Sequence, residues 1–189
     1  MIIVEGPDGA GKSTLIEHLE REFRSLERGP KFSPPSGREC PTEEDCNATV
    51  EWYTRVLLER TPIEHWTTIF DRFFISEIVY GSAVRGKIAF SFSGFRLYVQ
   101  ALDLCLPMIV YCRPPLTVIE SNVMNSEHME GVEDNLLGIV RRYDDTMQLM
   151  ARMLDDGVIL QYDYTDPDYL GMVTQAVKQY LAVRSTWEG

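Results

Sequence analysis

Apolar residues recur along the chain in two rhythms that alternate. Short runs rich in β-branched and aromatic residues read as strands: Ile2-Ile3-Val4, Thr67-Thr68-Ile69-Phe70, Met108-Ile109-Val110-Tyr111-Cys112 and Val158-Ile159-Leu160-Gln161-Tyr162. Between them the period lengthens. Leu15, Ile16, Leu19 and Phe23 recur every three or four positions with charges between, which predicts an amphipathic helix beginning near Lys12. Similar spacing predicts helices over 43–60, 74–86, 93–105, 115–125, 133–155 and 167–184. Residues 29–42 hold Gly29, Pro30, Pro34, Pro35, Gly37 and Pro41 and read as a loop, around a short irregular strand at Lys31-Phe32-Ser33.

Strands that alternate with helices of ten or more residues imply parallel pairing, because parallel neighbours need crossover connections. The expected architecture is α/β, one open parallel sheet with helices on both faces, in three layers. The 189 residues fit one domain, with no internal repeat and no low-complexity tract.

Composition narrows the functional classes. With 44% hydrophobic and 25% charged residues, the chain is an ordinary globular one, and disorder is a poor reading. The net charge of -11 disfavours long nucleic acid as a partner, since proteins that grip a phosphate backbone show a basic face. A small phosphorylated ligand remains compatible, because a few well-placed cations hold it. Cys40, Cys46, Cys105 and Cys112 have no zinc-site spacing and read as free thiols of a reducing cytoplasm. The start of the chain has no leader signal, and no apolar run reaches the ~20 residues that span a bilayer. The expectation is a cytoplasmic protein with no membrane partner.

One motif carries most of the chemistry. Gly6-Pro7-Asp8-Gly9-Ala10-Gly11-Lys12-Ser13-Thr14 fits G-x-x-x-x-G-K-[ST], directly after an apolar strand and directly before an amphipathic helix. Glycines let the backbone wrap a phosphate with its N–H groups inward, and the helix N-terminus adds a positive dipole end. Lys12 is expected to reach the β- and γ-phosphates of ATP, and Ser13 to ligate Mg²⁺. Asp71 ends the second strand, where open α/β sheets bind their ligands. It is expected to reach the Mg²⁺ shell or act on an acceptor hydroxyl; capping the next helix is its structural alternative. Arg72 beside it offers a bidentate phosphate fork. Phe73 is the aromatic chosen to stack on a base.

Gly6–Thr14 together with Asp71-Arg72-Phe73 resembles the thymidylate kinase family of P-loop nucleotide kinases. The resemblance extends to Ser76-Glu77-x-x-Tyr80-Gly81 and to Arg141-Arg142-Tyr143, and covers about residues 1–165. It implies a P-loop kinase fold with a small lid at about 122–134, ATP and Mg²⁺, a nucleoside monophosphate acceptor such as dTMP, and a homodimer. It also implies roles. Asp8 would meet the acceptor sugar, Arg72 the acceptor phosphate, and Arg96 with Gln100 the base. Arg141 and Arg142 would supply charge at the transferred phosphoryl group, and Tyr143 would lie on the acceptor side.

The chain also departs from that family. The lid stretch Asn125–Asp134 has no Arg or Lys, and the family's Arg-Glu-Pro-Gly loop is missing. Arg85, Lys87 and Arg113 are therefore further candidates for the cations that phosphoryl transfer needs. Deoxynucleoside kinases, close relatives that usually carry Glu-Arg at the Asp71-Arg72 position, keep another acceptor open: a deoxynucleoside, or a hydroxymethylated pyrimidine in a nucleotide or in DNA. A non-kinase P-loop NTPase is the third reading, although no guanine-reading Asn-Lys-x-Asp is present. His18, His65 and His128 have no metal-ligand partner at a sensible spacing.

Overall fold

The computed structural model describes residues 1–30, 43–58, 67–86, 91–155 and 157–185. Ile2–Glu5 (β1) is fully buried and forms the centre of the sheet, as its unbroken β-branched run demands. Lys12–Glu22 (α1) follows, then the two-residue strand Glu27–Arg28 (β2), Glu43–Leu58 (α2), Thr68–Asp71 (β3), Phe74–Ala83 (α3), Phe92–Asp103 (α4) and Met108–Cys112 (β4). Leu116–Val123 (α5), Val132–Ala151 (α6), Val158–Tyr162 (β5) and Pro167–Ser185 (α7) complete the order. The strands lie in the order β2-β3-β1-β4-β5, and every pairing is parallel.

The pleat divides the core into two layers. Ile2, Val4, Ile69, Met108 and Val110 face one side and pack with Leu15, Ile16 and Leu19 of α1 and Val173 and Val177 of α7. Ile3, Phe70, Ile109 and Tyr111 face the other, against Phe74, Val99, Ile139 and Tyr143 of α3, α4 and α6. The three-layer α/β/α expectation therefore holds. Register sets the working edge: Val4 lies opposite Asp71 on one side and Val110 on the other, so the carboxyl ends of β1, β3 and β4 finish together.

Several boundaries differ from the sequence reading. The edge strand β2 falls at Glu27–Arg28, held by Glu27 N–H to Thr67 O and Gly29 N–H to Ile69 O, both 2.8 Å. Its two polar, exposed residues carry no apolar rhythm. The strand expected at 31–33 lies outside the described residues. Helix α3 stops at Ala83 rather than 86, where Val84 and Arg85 both donate to the Tyr80 carbonyl at 3.0 Å. Helix α6 stops at Ala151 rather than 155. The stretch at about 122–134 spans the end of α5, the connection and the first turn of α6, and Gly131 within it takes φ 82°. No described helix is long and apolar enough to cross a membrane.

Candidate active site

The segment between β1 and α1 is shaped by close approach. A Cβ on Gly6 would lie 2.5 Å from the Cys112 carbonyl oxygen, and one on Gly11 2.7 Å from the Tyr164 ring. Gly11 also takes φ 82° as the residue capping α1, with no side chain covering the first-turn N–H groups. That leaves them available to an anion. Lys12 is 7% exposed, and its ammonium donates to the Pro7 carbonyl at 2.5 Å. Burial first, and then repulsion from Arg72, push it down to about 7.

This cradle opens onto a cavity of about 840 Å³. Asp8, Gly9, Gly11, Lys12, Ser13 and Thr14 form one wall, with Asp71 and Arg72 at the β3 end. The opposite wall is Asn122, Asn125 and Ser126 with Tyr162 and Tyr164. Asn122 ties the walls together: its amide donates to Gly9 O at 2.7 Å and to the Tyr164 hydroxyl at 2.6 Å. Asp71 ends β3 and does not cap α3; that position belongs to Phe73.

Arg72 is the hub. It adopts φ 71°, a left-handed conformation that costs a non-glycine residue about 1–3 kcal/mol and persists only where surroundings enforce it. Its backbone N–H donates to Val4 O at 2.9 Å. Its guanidinium donates to Gly6 O (3.1 Å), the Tyr143 hydroxyl (2.9 Å) and the Tyr80 hydroxyl (3.3 Å), and forms an ion pair with Asp8. It also lies over the Tyr80 ring, 4.9 Å from the centroid. Burial alone would raise the Asp8 carboxyl. Arg72, Lys12 and the Tyr80 hydroxyl, which donates at 3.0 Å, together outweigh that and hold it below its ordinary value.

Beneath this hub lies Glu5, completely buried. It accepts from Phe73 N–H (2.6 Å), Ser76 Oγ–H (2.7 Å) and the Tyr143 hydroxyl (3.2 Å). Burial pushes its carboxyl up, against the pull of Ser76 and Arg72. Glu5 escaped the sequence reading, although an acid that ends an apolar strand directly before Gly6 is a usable signal.

A second cavity of about 300 Å³ shares Asp8 and Arg72 with the first. Ser76, Glu77, Tyr80 and Arg85 line it from α3 and its end, and His128 and Met129 from the α5–α6 connection. His128 pairs with Glu133 at 3.1 Å.

The structure thus gathers Asp8, Gly9, Gly11, Lys12, Ser13, Thr14, Asp71 and Arg72 around one cavity, with Gly6 and Ala10 in the same turn. Tyr143 joins them through Arg72. Other candidates stand elsewhere. Arg141 and Arg142 are exposed on α6, and Arg96 and Gln100 are exposed on α4. None of the four lines either cavity. Phe73 is fully buried, its ring 4.9 Å from that of Tyr53 and 5.0 Å from that of Phe70, so its side chain belongs to the core. Arg113 is held by Asp144, Nε at 3.0 Å and Nη2 at 3.2 Å. Lys87 and His65 lie outside the described residues.

Neither a protein-family model nor a curated protein matches the sequence. Solved structures do. The YorR protein from Bacillus subtilis, in complex with phosphorylated GDP, is 18% identical with a TM-score of 0.65, over 98% of this chain and 97% of that one. Deoxyadenosine kinase from M. mycoides with bound dCTP is 15% identical with a TM-score of 0.56, over 95% of this chain and 100% of that one. The same enzyme with dCMP and dCDP gives 15% and 0.54, over 94% and 98%. The chain has their fold. At such identities the likeness is one of architecture, and the site must argue for itself.

Proposed function

We propose that the chain is a phosphotransferase that moves the γ-phosphoryl group of ATP to a nucleoside monophosphate. The observation that carries this reading is the pair of cavities meeting at Asp8 and Arg72. A hydrolase or switch needs room for one nucleotide; a kinase needs two sites whose reacting groups face each other. The neighbours support the class, since they include a deoxyadenosine kinase and a protein solved with phosphorylated GDP.

The residues present fit ATP and Mg²⁺. Lys12, its ammonium buried and donating to a backbone carbonyl, and the uncovered N–H groups at the start of α1 suit polyphosphate. Ser13 and Asp71 line the same cavity, and the described residues hold no group of three His, Cys, Asp or Glu able to take a metal alone. That donor set suits Mg²⁺, which keeps water and takes substrate phosphates rather than filling an all-protein cage. When bound, the ion would neutralise phosphate charge and fix phosphate orientation.

The acceptor oxygen attacks the γ-phosphorus, the bond to the β-bridging oxygen breaks, and ADP leaves. Lys12 and Arg72 would counter the charge on the transferred group. A nucleotide's phosphate is largely ionised near neutral pH, so this route needs no base. Asp8, held low by its ion pair, is poorly suited to be one. This favours a monophosphate over a hydroxyl acceptor. The resemblance to thymidylate kinases made dTMP the first expectation, but Arg96 and Gln100, the residues carried over to read thymine, stand away from both cavities.

One observation favours a second reading, a nucleoside acceptor. In the smaller cavity Arg72, Arg85 and His128 each already face a carboxylate, which leaves little uncommitted charge for an acceptor phosphate. ATP consumption with product mass decides between them. The panel is the four deoxynucleosides, their 5′-monophosphates, 5-hydroxymethyl-dUMP and DNA containing 5-hydroxymethyluracil. A diphosphate product is expected. A monophosphate product from a nucleoside would establish the second reading, and phosphorylated DNA would overturn both. ATP hydrolysis with every acceptor untouched would make the chain an NTPase.

A further inference from the structure

Arg85 follows α3, and its side chain is 11% exposed. Its Nη2 donates to the Glu77 carboxylate at 2.7 Å and to the Glu77 carbonyl at 3.2 Å. Its Nε is buried and has no partner among the described residues. Both hydrogen bonds of this guanidinium among the described residues leave from Nη2, so most of its donor fork is uncommitted. On the partner, Oε2 of Glu77 takes the ion pair, and Oε1 accepts from no described residue. An unsatisfied buried donor costs about 1–3 kcal/mol. Nε itself is closed off, so Nη1, which bonds no described residue, is the part of the fork that a ligand in the cavity can meet.

The chemistry of that ligand is constrained. Glu77 neutralises Arg85 and repels anions, so an acceptor phosphate is not what the pair holds. An apolar ring would leave both charges unserved. The pair fits a neutral, planar edge that offers a carbonyl to the guanidinium and N–H groups to the carboxylate. Asp8, Tyr80 and Arg72 line the same cavity. An acceptor whose sugar and reactive group lie at Asp8 and Arg72 would send its base toward Glu77 and Arg85.

Nucleobases differ at that edge. Guanine presents one carbonyl beside two N–H donors, which matches a donor fork beside a two-oxygen carboxylate. Thymine and uracil have one N–H between two carbonyls, so one carbonyl would meet a carboxylate oxygen. Adenine and cytosine offer a single amino donor. We propose that the Glu77–Arg85 pair reads the base of the acceptor and selects guanine. The inference rests on the phosphotransferase reading and names the substrate class of its second cavity.

Calorimetry with the P-loop saturated by Mg²⁺ and a non-hydrolysable ATP analogue tests the pair, using dGMP, dAMP, dCMP and dTMP and the four deoxynucleosides. Guanine ligands should bind about ten- to a hundredfold more tightly than their counterparts, the scale of one or two hydrogen bonds to charged groups. Glu77→Gln should remove most of that preference. A flat ranking, another base at the top, no binding by any ligand, or a guanine preference that survives both Glu77→Gln and Arg85→Gln would overturn the proposal. The wild-type ranking needs no variant, so a variant that fails to fold leaves the test standing. Guanine preference without phosphoryl transfer would sink the kinase reading alone. Transfer to a different base would uphold the kinase reading and overturn this one.

Discussion

The two cavities that meet at Arg72 are built from different materials. The larger has one wall built on a glycine turn and a helix N-terminus at the ends of parallel strands, faced by Asn122, Asn125, Ser126, Tyr162 and Tyr164. The smaller is made of side chains, Ser76, Glu77, Tyr80 and Arg85 from one helix and its end, with His128 and Met129 from a connection far along the chain. A backbone cradle recognises what all nucleoside triphosphates share, namely phosphate. A side-chain pocket recognises what distinguishes one acceptor from another. On the proposed reading, generic affinity and specificity would reside in separate parts of the molecule, and each could be perturbed alone.

The largest effect should come from the generic side. Lys12→Ala removes the buried ammonium, and kcat/KM should fall about a thousandfold, on the scale of a single preorganised charge contact. Near-normal turnover would break the division at its root. Next comes the hub. Arg72→Lys keeps the charge and loses the fork that serves Gly6, Tyr143, Tyr80 and Asp8 together. A loss of about a hundredfold is expected in steady-state turnover, with ATP affinity, read by titration, changed far less. Equal losses for both substrates would mean that the hub does not separate the cavities.

Gly11→Ala tests the backbone cradle itself. The new Cβ meets the Tyr164 ring at 2.7 Å and demands φ 82° of an L-residue, so thermal unfolding should show a loss of about 2 kcal/mol. Adding Tyr164→Ala should return the steric part and leave the backbone part; a double variant no better than Gly11→Ala would remove the clash from the account.

The last effect is read as a slope with pH. Burial places Lys12 at about 7 in the folded chain, against its ordinary value of 10.5. Between those values the unfolded chain binds the proton and the folded chain does not, so stability rises with pH across that window. The destabilisation is fully present below about 7. The slope from this one group is at most about 1.4 kcal/mol per pH unit. Denaturation of the nucleotide-free protein in chelator, from below to above neutrality, should show a shallower rise in Lys12→Met. Identical slopes would move the proton elsewhere.

The same division explains what the sequence disclosed. Gly6–Thr14 is contiguous and needs no tertiary knowledge, and Asp71-Arg72 is legible because the end of a buried strand is a known place for ligands. The alternating rhythms located four of the five strands; β2 was missed because Glu27 and Arg28 have neither apolar character nor length. The smaller cavity is different. Glu77 and Arg85 are eight residues apart across the end of a helix, a separation with no periodic signature. In the sequence Arg85 reads only as a spare cation, and Glu77 only as part of a resemblance.

The helical period also places two pairs of the candidate residues. On α6 the buried residues Leu136, Ile139, Val140, Tyr143, Met147 and Met150 mark one stripe, so Arg141 and Arg142 must lie off it. On α4 Phe95, Tyr98, Val99 and Leu102 do the same and leave Arg96 and Gln100 outside.

The left-handed backbone at Arg72 has one more consequence, visible under selection. Alanine ordinarily replaces glycine with a gain in stability, yet at φ 71° the order reverses, and glycine is the residue that sits there without strain. A library randomised at this codon and sorted for folded protein should enrich glycine among the inactive clones. The same library sorted for turnover should return arginine. The position carries two preferences, one written by the chain's geometry and one by its chemistry, and the natural residue records which of them evolution has followed.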